Sequence, residues 1–358
     1  MTKERGIISG NGTDEMRRIC VFIGSRANYG RLLSVLKAIQ NHPKLELKLV
    51  TGASALDMPM EFIPDVQIQC LADGDNLQAM TLTCSLALAQ LGGVLERLKP
   101  DAVLLHGDRY EQLPIALTAA YMGIPLVHTE GGDITGTIDE RVRHAVTKLA
   151  DVHFPVTELS RRRIVAMGEY PDMVFTVGST ALDTIADIDL TNNRMEPYVL
   201  ILHHPNTTKQ EEFGKLVEAV NQLDIYKIWM NPNVDPGSKA MLKLIHRQDV
   251  EFSKNLSPEE YARLLYNCEC AIGNSSSFIK EGAFLGVPAV LVGDRQKGRE
   301  HGDNVVFADY DDILPKVKAQ MGRRYPKDYR FGNGRAGKEI ADILAEIELG
   351  REKKLCML

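Results

Sequence analysis

Ile19-Cys20-Val21-Phe22-Ile23-Gly24-Ser25-Arg26-Ala27-Asn28-Tyr29-Gly30-Arg31 is the stretch on which the fold turns. Five apolar residues of strand-forming type run into a glycine-serine turn, and a segment of helical period comes next. The pattern recurs. Further strands are expected at Leu45 to Thr51, Asp101 to His106, Pro125 to Glu130, Val152 to Pro155 and Met173 to Val177, with helices between them. The longest helix is expected over Leu77 to Leu98, with Leu82, Leu86, Leu91 and Leu95 near one face and Pro100 just past its end. Asp187 to Pro197 breaks both periods and is polar, so it reads as a linker. A second series then begins, with strands at Tyr198 to His203, Tyr226 to Met230, Val250 to Phe252, Cys270 to Gly273 and Ala289 to Val292. Its helices are expected at Gln210 to Leu223, Lys239 to Arg247, Pro258 to Tyr266 and Ile279 to Leu285, with a last amphipathic helix at Gly337 to Glu348.

Alternating βα units of this kind predict an α/β fold of two Rossmann-like, doubly wound domains facing each other across a central cleft. The expected layout is an N-terminal extension over 1–17, a first domain over 18–186, the linker at 187–197, a second domain over 198–335 and a C-terminal helix over 336–358. Composition agrees with a folded protein of this size: 358 residues, 44% hydrophobic and 25% charged, with a net charge of −6. Without clustered Lys and Arg, nucleic acid is disfavoured as a partner. The six cysteines contain no CxxC pair and are expected to be free thiols. Met1 to Glu15 is polar and lacks a signal-peptide core, and no run of about 18 uninterrupted apolar residues occurs, so a cytoplasmic protein without a membrane partner is expected.

The turns at the strand ends carry the chemistry. Gly24-Ser25-Arg26, His106-Gly107-Asp108-Arg109 and Glu130-Gly131-Gly132-Asp133 end strands of the first series. His203-His204-Pro205-Asn206 and Gly273-Asn274-Ser275-Ser276-Ser277 end strands of the second. Polar turns after strands are the ordinary case, but a parallel sheet aims all of them into one crevice. The serine run reads either as a plain helix N-cap or as a diphosphate seat opening a helix, with Glu281 placed to accept from a ribose diol. Asp108, Glu130, Asp133, Asp139 and Glu140 form a carboxylate group of the kind that acid–base chemistry on a sugar requires. Asp108 could equally pair with Arg109 or Arg26, and Arg143 and His144 could neutralise Glu140 or hold a phosphate. Arg161 to Arg163 reads as solvated surface, Trp229 as core. GxGxxG, GxxxxGK[ST] and HExxH are all missing, which counts against an oxidoreductase or an NTPase; no cofactor and no metal are expected.

Taken together, Ser25 to Tyr29, His106 to Arg109, Glu130-Gly131-Gly132, Gly136 to Glu140 with Arg143-His144-Ala145, His204-Pro205, Pro232 to Asp235, Gly273 to Ser276, Arg295-Gln296 and Gly298-Arg299-Glu300 resemble the UDP-N-acetylglucosamine 2-epimerase family, and within it the hydrolysing branch. The match spans Arg18 to Tyr325. It implies a fold like that of two-domain nucleotide-sugar glycosyltransferases (GT-B-like), assembly as a homodimer or homotetramer, and a UDP-sugar as substrate. It also implies that UDP is expelled from C1 as a carboxylate takes the C2 proton, and that water then adds with inversion at C2 to release N-acetylmannosamine. Carried over by position, Asp108, Glu130 and Glu140 would lie near the sugar, and Asp108, on the shortest loop, is the first choice as C2 base. Arg26, His204, Ser275 and Ser276 would meet the diphosphate, with Asn274 beside them and Glu281 at the ribose. Asn233, Arg109 and Arg299 would meet the nucleotide or its phosphates, and Arg143 the substrate region.

Two departures from the family pattern matter. Arg31, also expected to bind substrate, stands where relatives commonly have lysine, and the chain is short between Thr51 and Gln69. A modified substrate such as UDP-N,N'-diacetylbacillosamine therefore stays open. A non-hydrolysing epimerase, a glycosyltransferase and a non-catalytic nucleotide-sugar sensor are the competing readings.

Overall fold

A computed structural model of the chain describes residues 16–356 apart from 57, 75, 136–137, 192–195, 206–211, 233–236, 246–250, 254–255 and 351, and apart from the side chains of Arg26 and 251–253. The first half supplies strands β1 (Arg17–Ile23), β2 (Leu45–Gly52), β3 (Val66–Ile68), β4 (Ala102–His106), β5 (Leu126–Thr129) and β6 (Val152–Phe154). The second supplies β7 (Tyr198–Leu202), β8 (Tyr226–Met230), β9 (Glu251–Ser253), β10 (Cys270–Gly273), β11 (Ala289–Val292) and β12 (Val305–Ala308). Each set forms one all-parallel sheet, in the orders β3-β2-β1-β4-β5-β6 and β12-β11-β10-β7-β8-β9. The two orders are the same topology read from opposite edges. Chain direction across the sheet reverses between β1 and β4, and again between β7 and β10. Ligand crevices open at such reversals, beyond the carboxyl ends of the strands.

The helices are α1 (Arg26–Asn41), α2 (Leu77–Leu98), α3 (Gln112–Tyr121), α4 (Asp139–Leu149), α5 (Glu158–Ala166), α6 (Phe213–Asn221), α7 (Ser238–Ile245), α8 (Pro258–Asn267), α9 (Lys280–Leu285), α10 (Ile313–Gln320) and α11 (Ala336–Glu346). They cover both faces of each sheet, which is why the central strands β1, β4, β7 and β10 carry apolar residues on both sides. Along β1, Ile19, Val21 and Ile23 point to a cluster with α1 and α11, while Cys20 and Phe22 point to one with α2, α3 and α4. The last helix therefore belongs to the core of the first sheet: Ala336, Ile340, Ala341 and Leu344 pack beside Leu32, Val35 and Leu36. Gly337 is essential to that approach, because a Cβ there would lie 2.7 Å from the Ser34 carbonyl carbon. Trp229 is fully buried in the core behind the second sheet, and all six cysteines are free.

Several expectations need correction. Met173 to Val177 is not a strand. Pro171–Met173 forms a 3-10 turn and Val174 makes one bridge to His153; Phe175 N and Val177 N donate to His153 O (2.9 Å) and Pro155 O (3.2 Å), but Pro155 has no N–H to donate back, so the ladder stays incomplete. Arg161 and Arg163 are not solvated surface: Arg161 holds Val174 O (3.2 Å) and Pro171 O and Arg163 reaches Gly132 O, leaving only Arg162 exposed. Leu82 and Leu86 do not share a face with Leu91 and Leu95. Nine residues separate Leu82 from Leu91, half a turn out of phase at about 100° per residue; Leu82 is 51% exposed and Leu91 is buried. By length and mean hydropathy (1.3) α2 could cross a bilayer, but its Ala87, Leu91, Val94 and Leu95 are packed into the first core. β3, β12 and α10 were not anticipated.

Candidate functional site

The loop after β1 is set by local capping. Ser25 Oγ accepts from Asn28 N (3.3 Å) to open α1, and Asn28 reaches across to His106 O (3.4 Å) while its Oδ1 accepts from Gln112 (3.2 Å). The loops after β1 and β4 are thereby locked together at the reversal. One turn into α1, Arg31 donates to Ser276 Oγ (3.3 Å) and stands 3.7 Å from Glu130. It bridges the two sheets. The Arg26 side chain and Asn233 lie outside the described residues.

After β4, the positive φ of Gly107 (+73°) turns the chain so that Asp108 meets Arg143 of α4 in an ion pair. Arg143, not the neighbouring Arg109, is the partner of Asp108. Arg143 is 1% exposed at its side chain and also donates to Glu140 Oε2 (3.0 Å), Asp133 O (2.9 Å) and Thr135 Oγ1 (3.0 Å). Burial would raise the Asp108 carboxyl, but the Arg143 guanidinium outweighs it and holds the group at about 2. Glu140 uses both oxygens: Thr135 N (2.5 Å) and Arg143 on Oε2, His144 on Oε1 (3.0 Å). Asp108 engages Arg143 through Oδ2, and no hydrogen bond among the described residues occupies Oδ1.

Glu130, after β5, adopts φ +61°, a left-handed conformation that costs a non-glycine residue about 1–2 kcal/mol. Its neighbours hold it there. Ser179 donates to Oε1 (2.8 Å), and Lys280, from the second sheet's side, donates to Oε2 (2.8 Å). Burial works to raise this carboxyl, but Lys280, then His106 and Arg31, bring it well below the usual range. His106 binds Thr129 Oγ1 (2.9 Å) and is pushed by burial down to about 4, so it is neutral at physiological pH. His128 donates from Nε2 to Gly107 O (2.8 Å) and accepts from Thr147 at Nδ1, bolting β5 to the Asp108 loop and α4.

On the second sheet, Gly273 has φ +141°, and a Cβ there would lie 2.0 Å from Leu202 O; only glycine lets β10 pass β7 at this point. Asn274 then stitches the two strand ends together, accepting from His204 N (2.7 Å) and donating to His204 O (2.8 Å). Burial keeps His204 well below its ordinary value, hence neutral. Ser275 Oγ accepts from Ser277 N (3.3 Å) and contacts Ser277 Oγ (2.8 Å). The serine run does not open a continuous helix. Ser276–Phe278 is a 3-10 turn and α9 spans six residues, so the run offers hydroxyl and backbone donors rather than the field of a long helix. Glu281 Oε2 is buried with no hydrogen-bond partner among the described residues.

Two expected nucleotide contacts are engaged elsewhere. Arg109 pairs with Glu111 of its own loop (3.2 Å), on the first sheet's side. Arg299 forms an ion pair with Asp133 (2.6 Å) across the cleft and holds Gln296 Oε1 (2.8 Å). Together with Thr157 to Glu300 (2.7 Å) and Lys280 to Glu130, these contacts draw the strand ends of both sheets into one site. Asp108, Arg143, Asp133 and Arg299 form one continuous chain of contacts; Glu130, Arg31 and Ser276 form another. The sequence reading missed Lys280 and Ser179. Lys280 had a signal, since it directly precedes Glu281 in the run from Gly273; Ser179 sits in a segment with no period to place it.

A model of the family described as UDP-N-acetylglucosamine 2-epimerase matches residues 37–345. A UDP-N,N'-diacetylbacillosamine 2-epimerase (hydrolyzing) of Legionella pneumophila is 31% identical over 93% of this chain and 97% of its own length. A UDP-N-acetylglucosamine 2-epimerase of Neisseria meningitidis serogroup B is 30% identical over 83% of this chain and 85% of its own. The solved structure of S. aureus MnaA with UDP aligns with a TM-score of 0.78 at 20% identity, covering 92% of this chain and 96% of that one, which shows a shared fold.

Proposed function

The chain belongs to the UDP-N-acetylglucosamine 2-epimerase family, and from that premise we propose that it is a hydrolysing member, converting UDP-N-acetylglucosamine and water to UDP and N-acetylmannosamine. The observation that carries the reading is the convergence of Asp108, Glu130 and Glu140 from the first sheet on Ser276, Lys280 and Arg299 from the second. Acidic groups for a sugar and donors for a diphosphate thus meet in one cleft. The domains are taken as 18–186 and 198–335, with the helix Ala336–Glu346 returning to the first.

Asp108 is assigned as the C2 base, because it alone of the three carboxylates keeps an oxygen outside the hydrogen-bond network. The C2 proton passes to Asp108, the C2–H electrons form the C1–C2 double bond, and the C1–O electrons leave with UDP. A C2–H with no neighbouring carbonyl loses its proton only as C1 becomes cationic, so stabilising the leaving diphosphate dominates the barrier. Ser275, Ser276, Asn274, His204, Arg26 and Arg31 are assigned to that group and Asn233 to the nucleotide, whereas Arg109 and Arg299, tied to Glu111 and Asp133, are not assigned to it. Glu281 is assigned to the ribose diol, which would satisfy its buried oxygen. Water then adds its oxygen to C1 and a proton returns to C2 on the opposite face. Arg143 keeps Asp108 ionised and holds Glu140 in place.

Incubation with UDP-N-acetylglucosamine and then anion-exchange chromatography tests this. Free UDP with N-acetylmannosamine is expected; UDP-N-acetylmannosamine with the nucleotide attached would mean the non-hydrolysing reaction. The Legionella relative favours a second substrate, UDP-N,N'-diacetylbacillosamine, and the short segment between β2 and β3 would leave room for a modified sugar. The same chromatogram with that substrate decides between them.

A further inference from the structure

We infer that Lys280 is a positioning residue for the proposed elimination, pinning Glu130 as a permanent anion so that it acts by charge at C1 and takes no part in proton transfer. The inference rests on the 2-epimerase reading. Lys280 is 2% exposed, the one buried lysine among the described residues. An ammonium is driven out of such a place unless a counter-charge meets it. Glu130 is that counter-charge, at 2.8 Å, and it comes from the other sheet, so the pair exists only when the two halves close. Glu130 has no oxygen left over: Ser179 takes Oε1, Lys280 takes Oε2, and the left-handed backbone at Glu130 fixes where the carboxylate points. A group held on both oxygens by donors is poorly placed to pick up or release a proton.

The setting of the pair explains why a cation is needed there. Lys280 lies one turn past Ser276, and the hydroxyl of Ser276 accepts from Arg31, the second cation beside Glu130. Two cations thus share one carboxylate next to the serine run, and the third group facing it, the His106 ring 3.9 Å away on β4, is held neutral by burial. Lys280 and Arg31 place positive charge where the proposed diphosphate would leave, and Glu130 places negative charge where the proposed C1 cation would form. Lys280 ties these opposite charges to a single closed geometry, so each is in place only when the other is.

The experiment is a pH profile of kcat/KM for UDP release by wild type, Lys280→Met and Lys280→Arg. An opposite charge at this range lowers a carboxyl by about 1–3 units, so Lys280→Met is expected to move the acid limb up by about 1–2 pH units. Lys280→Arg keeps the charge and is expected to restore the limb and most of the rate. A Lys280→Met enzyme that is slower by the same factor at every pH, with its acid limb unmoved, would overturn the inference. A thermal-unfolding cycle with Lys280→Met, Glu130→Gln and the double variant covers the case of poor folding and needs no substrate. The double variant is expected to be more stable than the sum of the single losses, because neither partner is left as a lone buried charge; additive losses would overturn the pairing. If wild type releases no UDP from any UDP-sugar, the functional reading fails by itself, and the cycle still reports on Lys280 and Glu130.

Discussion

Arg143→Met should be among the most damaging single changes in the first half of the chain, and its cost should depend on pH in a defined way. Asp108 sits at about 2 against its ordinary 3.8, with its side chain 26% exposed. At about 1.36 kcal/mol per unit this is on the order of 2 kcal/mol of stability at neutral pH. Losing the bonds to Asp133 O and Thr135 Oγ1 adds about 1 kcal/mol each. The sum of about 4 kcal/mol agrees with the 3–5 kcal/mol expected when one member of a buried ion pair is removed. For a unit of this size that corresponds to a fall in Tm of about 8–16 °C. The sign is set by the direction of the shift. A depressed carboxyl stabilises fully above its unfolded value of 3.8, and the benefit is lost as pH falls through about 2. In the variant, burial without the guanidinium raises the same carboxyl, so it destabilises at neutral pH and is relieved by acid. The gap between wild type and variant, measured by urea unfolding, should therefore narrow by at least about 1 kcal/mol between pH 7.5 and pH 4. An unchanged gap would show that Arg143 acts through packing alone and would refute the electrostatic argument.

Gly273→Ala should destabilise by about 3 kcal/mol or more, or prevent soluble expression, because the added methyl has no space against Leu202 O and the backbone is left-handed; a Tm equal to wild type would contradict the tight crossing of β10 and β7. Glu281→Gln should weaken UDP binding about tenfold or more by calorimetry, the value of a hydrogen bond to a charged acceptor, with little change in Tm; unchanged affinity would remove Glu281 from the nucleotide site.

Both sheets were legible in the sequence because their central strands, β1 and β10 among them, carry an apolar run buried on both faces and end at glycine or a polar turn. β3 escaped because its three residues include Gln67 and so carry no apolar run, whereas β12, at a sheet edge, is as apolar as β11 and nothing in its residues explains the miss. Met173 to Val177 has strand composition, but whether the ladder closes is decided by its neighbour, where Pro155 accepts from Val177 N and has no N–H to return. The loops of the site were readable from strand ends, since topology alone delivers them to the crevice. The partners of long charged side chains were not. Arg143 rather than Arg109 takes Asp108, and Arg299 takes Asp133, because a flexible cation settles wherever a buried carboxylate needs it. The same holds for Lys280, whose partner lies 150 residues away in the chain.

NMR of the reaction in deuterated water with a panel of UDP-sugars tests the central claim most directly. Free UDP together with a C2-inverted sugar carrying deuterium at C2 is the predicted result. Product with the original hydrogen at C2, or no turnover of any UDP-sugar by the folded protein, would contradict it.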